Sequence, residues 1–347
     1  MKTIKKLLAL TLVLCMVFCL SVAVFASAEE PTPAPGEVGW TPTSDQETVT
    51  ITKVYKLVGA GASPAETFTL EQVGDGEVKD GDADTAPHLG TITGATFSEG
   101  AATADGATGS ITIALPTYTN VGVYEYKLKE VVPSGTTKPT AGVTYYADEI
   151  LLRVTVVEGA NGKLRVAAVH TETLTNVNPT EGKTKYDTFP NVYSAGTLKV
   201  SKTVEGNIAD KDKYFEFKVT LTGDDTKAYA TSFAVTGGST AANNPQTIEI
   251  GQETTFKLKH GDTISIANIP YGVTYSVTET AVDGYTTTKT GDTGTINAAE
   301  QTAAFTNTKE GTIDMGVTLD SLPYILALAV VFGGAVVMVS RKRHVED

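Results

Sequence analysis

Tyr124-Glu125-Tyr126-Lys127-Leu128-Lys129-Glu130 alternates apolar and polar side chains, and Val273-Thr274-Tyr275-Ser276-Val277-Thr278-Glu279 repeats the pattern in the second half of the chain. Strand side chains point to opposite faces in turn, with a period of two. Each stretch therefore reads as a strand with one buried face. Each also ends on a glutamate that shares the register of its apolar residues. A carboxylate aimed at a core is unusual, because Glu is almost never fully buried unless it is paired.

The segments on either side repeat as well. Val49-Thr50-Ile51-Thr52-Lys53 in the first half is matched by Leu198-Lys199-Val200-Ser201-Lys202 in the second. Phe189-Pro190-Asn191 is matched by Phe305-Thr306-Asn307. Lys53 has the parity of Val49, Ile51, Tyr55 and Leu57, and Lys202 that of Leu198, Val200 and Val204. Asn191 goes with Phe189 and Tyr193, and Asn307 with Phe305. Lys and Glu lie 77 residues apart in both halves. Each half thus aims a Lys, a Glu and an Asn at its own core.

The rest of the pattern is short alternating segments between turns. Strand candidates include 48–58, 66–72, 122–132, 148–157, 163–170, 187–193, 197–204, 214–222, 273–280 and 302–307, with Ser194-Ala195-Gly196 read as a turn between the halves. Thr makes up 56 of 347 residues, and Thr and Val favour strands. Regular short strands with Gly- and Pro-rich turns predict an all-β protein of two tandem Ig-like β-sandwich domains, over 47–194 and 195–308.

Both ends predict targeting segments. Residues 1–28 begin with Lys2, Lys5 and Lys6, continue with an apolar run and close on Ala26-Ser27-Ala28. That pattern is a secretory signal peptide cleaved between Ala28 and Glu29. A Pro/Thr-rich linker follows over 29–46 and carries Trp40. At the other end a stalk, 309–320, leads to an apolar stretch, 321–340, and a basic tail, 341–347. Leu322 to Val339 holds no charge, and Arg341, Lys342 and Arg343 come next. The expectation is a C-terminal transmembrane helix with the tail in the cytoplasm and the rest at the cell surface.

Residues 29–320 carry 21 basic and 38 acidic side chains, a net charge of −17. That argues against nucleic acid as a partner. Cys15 and Cys19 both lie in the leader, so the exported part has no disulfide to stabilise it. Asp80, Asp82 and Asp84 fall short of a calcium loop, since Thr85 stands where Gly is needed, and they read as a solvated acidic loop. His88, His170, His260 and His344 have no metal-ligand spacing. No hydrolase motif is present.

Taken singly, each inward polar residue reads as a strand-end salt bridge, a snorkelling Lys or a turn Asn. Taken together they suggest chemistry. Burial lowers a Lys pKa and raises a Glu pKa. A neutral amine is a nucleophile, and a protonated Glu can polarise a carboxamide. Attack on Asn would release ammonia and leave a Lys–Asn amide, once per site and without a cofactor or metal. Proximity within the fold would supply much of the rate.

With these motifs the chain resembles Gram-positive, streptococcal-type shaft pilins built from pilin isopeptide-linkage domains. The likeness covers about 47–193 and 197–308. It rests on the first-strand Lys, the Y-x-[LV]-x-E segment and the F-x-N closing strand, each present twice. The resemblance implies Lys53–Asn191 and Lys202–Asn307 isopeptide bonds, with Glu130 and Glu279 as catalysts. It also implies sortase and other pilin subunits as partners. Lys183 and Lys185 stand where the family would carry a polymerisation lysine. The sorting-motif position resembles Thr312-Ile313-Asp314-Met315-Gly316-Val317, in which Gly316 is kept but Asp314 and Met315 replace Pro and Thr.

The reading is a structural cell-surface subunit or stalk, and not an enzyme beyond self-crosslinking. The alternative is an unpolymerised, membrane-anchored adhesin whose loops at 74–88 and 223–246 would contact a host or neighbour-cell ligand.

Overall fold

A computed structural model describes residues 47–159, 162–173, 188–312 and 322–343. The leader, its Ala28–Glu29 junction, the linker with Trp40, Lys183, Lys185, Met315 and Gly316 lie outside the described residues. The described part is mostly β-strand, in two units that each enclose a separate apolar core between two sheets.

The first strand, Thr48–Gly59, pairs antiparallel with Ala107–Ala114 on one side. On the other side it pairs parallel with the start of Thr188–Glu205. The facing sheet is built on Gly122–Glu130, flanked by Ile150–Glu158 and by Leu70–Gln72 with Glu77–Gly81. Val49, Ile51 and Tyr55 of one sheet meet Tyr124, Tyr126 and Leu128 of the other. These are the residues whose alternation predicted inward faces.

The second unit reuses the architecture. Thr188–Glu205 continues and pairs antiparallel with Thr263–Pro270 and parallel with Glu300–Thr308. Its facing sheet places Phe215–Thr222 between Glu253–Leu258 and Thr274–Glu279. Leu198, Val200 and Val204 pack there against Phe215, Phe217, Val219 and Val277.

Two sequence-based expectations are corrected. Ser194-Ala195-Gly196 is not a turn. Thr188–Glu205 is one strand of 18 residues, closing the first unit and opening the second. Ala195 pairs with Gly59 on one side and Pro270 on the other. Gly196 is needed for close approach, since a Cβ there would lie 2.2 Å from the carbonyl oxygen of Ala298. Glycine in a strand interior can mark such a close approach of another backbone. The expected strand 66–72 divides at Thr69: Glu66–Phe68 pairs with Ala95–Phe97, whereas Leu70–Gln72 joins the Glu130 strand.

The units also meet beyond the shared strand. Asn268 adopts φ 60°, and its side-chain oxygen accepts from the Ala62 N–H at 3.1 Å and the Tyr193 hydroxyl at 3.2 Å. The Ala141 N–H donates to the Ala228 carbonyl, and the Ala228 N–H to the Pro139 carbonyl.

A helix, Leu322–Arg343, occupies the stretch expected to span a membrane over 321–340. Among the described residues no helix is long and apolar enough to cross a membrane, so the anchor is not supported.

Candidate functional site

The parallel pairing of first and closing strands brings Lys and Asn together. In the first unit Lys53 stands opposite Phe189, and Asn191 is two residues further along. In the second, Lys202 stands opposite Phe305, with Asn307 two residues on. The register is the same in both. A two-residue step returns to the same face, within reach of a long side chain on the neighbouring strand. The F-x-N motif is thus a register device. Phe faces the lysine's backbone position, and Asn lies diagonally ahead of the amine.

Glu comes from the opposite sheet. Glu130 ends the strand Gly122–Glu130 and Glu279 ends Thr274–Glu279, so each carboxylate crosses the core towards the amine. Lys53 and Asn191 are 0% exposed and Glu130 1%; Lys202 is 1% exposed, Asn307 0%, and the Glu279 side chain 3%. Lys53 Nζ donates to Glu130 Oε2 at 2.9 Å, and Asn191 Nδ2 donates to Glu130 Oε1 at 2.6 Å. Lys202 Nζ donates to both oxygens of Glu279, at 2.9 and 2.8 Å. Asn307 Nδ2 also donates to Glu279 Oε1. One carboxylate therefore joins amine and carboxamide in each unit.

Two physical features separate these clusters from ordinary buried ion pairs. Desolvation holds both Lys53 and Lys202 below the usual lysine pKa, although the paired glutamate acts in the opposite direction. Loss of solvent thus outweighs attraction to the partner. Second, the side-chain oxygens of Asn191 and Asn307 are buried without a hydrogen-bond partner. A buried unsatisfied carbonyl costs roughly 1–3 kcal/mol. The same two atoms are orphaned in the two units, and each is the oxygen that a protonated glutamate would polarise.

Aromatic rings close both sites. Lys53 Nζ lies 5.2 Å from the Phe68 ring and 5.9 Å from that of Tyr146. Lys202 Nζ lies 4.3 Å from Phe215 and 5.7 Å from Phe217. Sequence reasoning assigned these rings no role. Phe215 and Phe217 carried a period-two signal that would have pointed them inward. Tyr146 carried none, because it follows the two-residue strand Val143–Thr144 and its position depends on tertiary structure. Among the described residues no cluster of three or more His, Cys, Asp or Glu could hold a metal ion.

Residues 49–194 match the family described as Spy0128-like isopeptide containing domain. The chain is 29% identical to a pilin of Streptococcus pyogenes serotype M1 over 245 residues, covering 65% of this chain and 69% of the relative. Its fold is similar to the crystal structure of the major pilin from Streptococcus pyogenes, with 22% identity, a TM-score of 0.51, and coverage of 77% of this chain and all of the other. The chain resembles the Gram-positive shaft pilins.

Residues 196–309 of this pilin-like chain match a domain of unknown function. A second relative, the pilus tip adhesin Cpa of Streptococcus pyogenes, is 30% identical over 130 residues; the match covers 18% of that adhesin.

Proposed function

We propose that the chain is a surface shaft subunit made of two Ig-like sandwiches, 47–194 and 195–308, each locked by its own isopeptide bond. Lys53 joins Asn191 under Glu130, and Lys202 joins Asn307 under Glu279. The observation that carries this reading is the repeated triad, with one buried carboxylate bonded to amine and carboxamide in each unit.

The lysine ammonium passes one proton to the glutamate, leaving a neutral amine and a neutral acid. Removal from water favours that exchange, since neither site retains a charge. The carboxamide turns so that its free oxygen accepts the acid proton. The amine attacks Cγ, forming the N–C bond, and the carboxamide nitrogen leaves with the displaced protons as ammonia. The glutamate ends ionised or neutral according to where the last proton rests, and no external reactant is consumed. Electrostatic preorganisation and proximity are the sources of rate.

Each bond would tie the first strand to the last in its unit, the role a disulfide serves elsewhere. That suits a cysteine-free exported part under tension. The pilin relative and the tip adhesin relative favour a place in a surface fibre, assembled with other subunits.

Intact mass is the test. The purified chain should weigh less than its sequence by two ammonia molecules, and peptide mapping should return Lys53–Asn191 and Lys202–Asn307 as crosslinked pairs. The unmodified mass would sink the proposal and leave two buried ion pairs.

A further inference from the structure

Tyr146 meets two members of the first triad, Glu130 and Lys53. Its backbone N–H donates to Glu130 Oε2 at 2.8 Å, the same oxygen that accepts from Lys53 Nζ. Its ring is 5.9 Å from Lys53 Nζ and packs edge-on against Phe189, at 5.1 Å and 70°. Phe189 is the residue opposite Lys53 and two before Asn191. Asn191 meets the other oxygen, Oε1, at 2.6 Å. The carboxylate is divided: Oε2 takes the amine and the peptide N–H, and Oε1 takes the carboxamide.

The second site is not divided in this way. Lys202 straddles both oxygens of Glu279, and Asn307 shares Oε1 with it. The ring against Phe305 is Phe217, at 5.1 Å and 80°, and it lies within the strand Phe215–Thr222. Among the hydrogen bonds of the described residues, no backbone N–H reaches Glu279.

We propose that the Tyr146 N–H selects which oxygen of Glu130 carries the proton, making Tyr146 a positioning residue of the first site with no counterpart in the second. This rests on the crosslinking reading above. In a carboxylic acid one oxygen is a hydroxyl donor and the other a carbonyl acceptor. A peptide N–H cannot change its role. A proton on Oε2 would set an O–H against that N–H, so Oε2 stays the carbonyl oxygen. The proton given up by Lys53 passes along its hydrogen bond and, by a half-turn of the carboxyl group, comes to rest on the oxygen that faces the carboxamide to be activated, leaving the unprotonated oxygen against the N–H. At Glu279 both oxygens face the amine, and nothing presets the choice.

Two substitutions separate the N–H from the ring. Tyr146→Ala removes the ring and keeps the N–H; Tyr146→Pro removes both. The full chain is made by cell-free synthesis and sampled over time, with each bond followed by mass and peptide mapping. Tyr146→Ala, which loses the ring over Lys53 and keeps the N–H, sets the reference rate for the first bond. In Tyr146→Pro it should slow about ten- to a hundredfold, the equivalent of one hydrogen bond to a charged group. The second bond should keep its rate in both. Equal first-bond rates in the two variants, or equal slowing of both bonds in Tyr146→Pro, would overturn the proposal.

Should Tyr146→Pro fail to fold, the Tyr146 amide resonance decides. It should move when Glu130→Gln is added to an Asn191→Ala background, and an unmoved resonance overturns the assignment. Failure of the unaltered chain to lose any ammonia is a different outcome, and it removes the crosslinking reading itself.

Discussion

At Asn191 and Asn307 the same side chain carries a bonded amide nitrogen and an orphaned buried oxygen. On the proposed crosslinking, replacing Asn191 by Ala would remove the first bond and keep the Lys53–Glu130 pair. The chain-entropy model for closing a loop of over a hundred residues then predicts a loss of about 5 kcal/mol of stability, measurable by denaturant unfolding. Glu130→Ala should be worse, because Lys53 is left buried without its partner, at roughly 3–5 kcal/mol. Equal stability of the two variants would count against Glu130 as the partner of the amine. A pH series gives an independent check. In a chain carrying Asn191→Ala and Asn307→Ala both amines are free, and their folded-state pKa lies below 10.5 because of burial. The unfolded chain then binds more protons between the folded-state pKa and 10.5, so stability should rise with pH through that window. In the crosslinked chain neither amine titrates, and that rise should vanish.

At the scale of elements, Gly196 has one task, to let the shared strand pass the Ala298 carbonyl. Gly196→Ala should destabilise by about 1–3 kcal/mol, the usual cost of overpacking, seen as a lowered melting temperature. An unchanged melting temperature would mean that the strand shifts freely there. The same glycine marks the limit of what was legible beforehand. Period-two alternation gave the inward faces of Thr48–Gly59, Gly122–Glu130 and Thr274–Glu279, and with them all six polar residues of the two sites. It failed at Ser194-Ala195-Gly196, because small residues serve equally for a turn and for close packing, and only the neighbouring strand distinguishes them. It failed at Thr69, where a strand changes sheets without interrupting the alternation. It was silent on Tyr146, whose contact with Glu130 is made by a backbone atom and leaves no mark in the identity of the side chain. The membrane span expected at 321–340 rested on composition, and among the described residues no helix is long and apolar enough to cross a membrane.

For the whole molecule, the parallel pairings make the chain enter at one end and leave at the other. Thr48 and Thr308 lie at opposite extremes of an array whose axis is Thr188–Glu205. With both bonds formed, tension travels from Lys53 to Asn191, along the shared strand to Lys202, and on to Asn307. The residues between Lys53 and Asn191 and between Lys202 and Asn307 are bypassed. Single-molecule pulling should find no unfolding step in the unaltered chain. Glu130→Ala should release the first loop, a gain of roughly 450–500 Å at ~3.3–3.6 Å per residue. The same extension in the unaltered chain would deny the first bond.

The strand common to both units also imposes a timetable. A chain emerging N-terminus first presents Lys53 and Glu130 well before Asn191, at roughly 5–20 residues per second during synthesis. The first unit can gather most of its core in that interval, yet it has no closing strand to react with. When Thr188–Glu205 arrives, it seals the unit behind it and lays down the first strand of the unit still to come. Completion of one half is thus the nucleation event of the other, and the molecule is assembled in the order in which it is read.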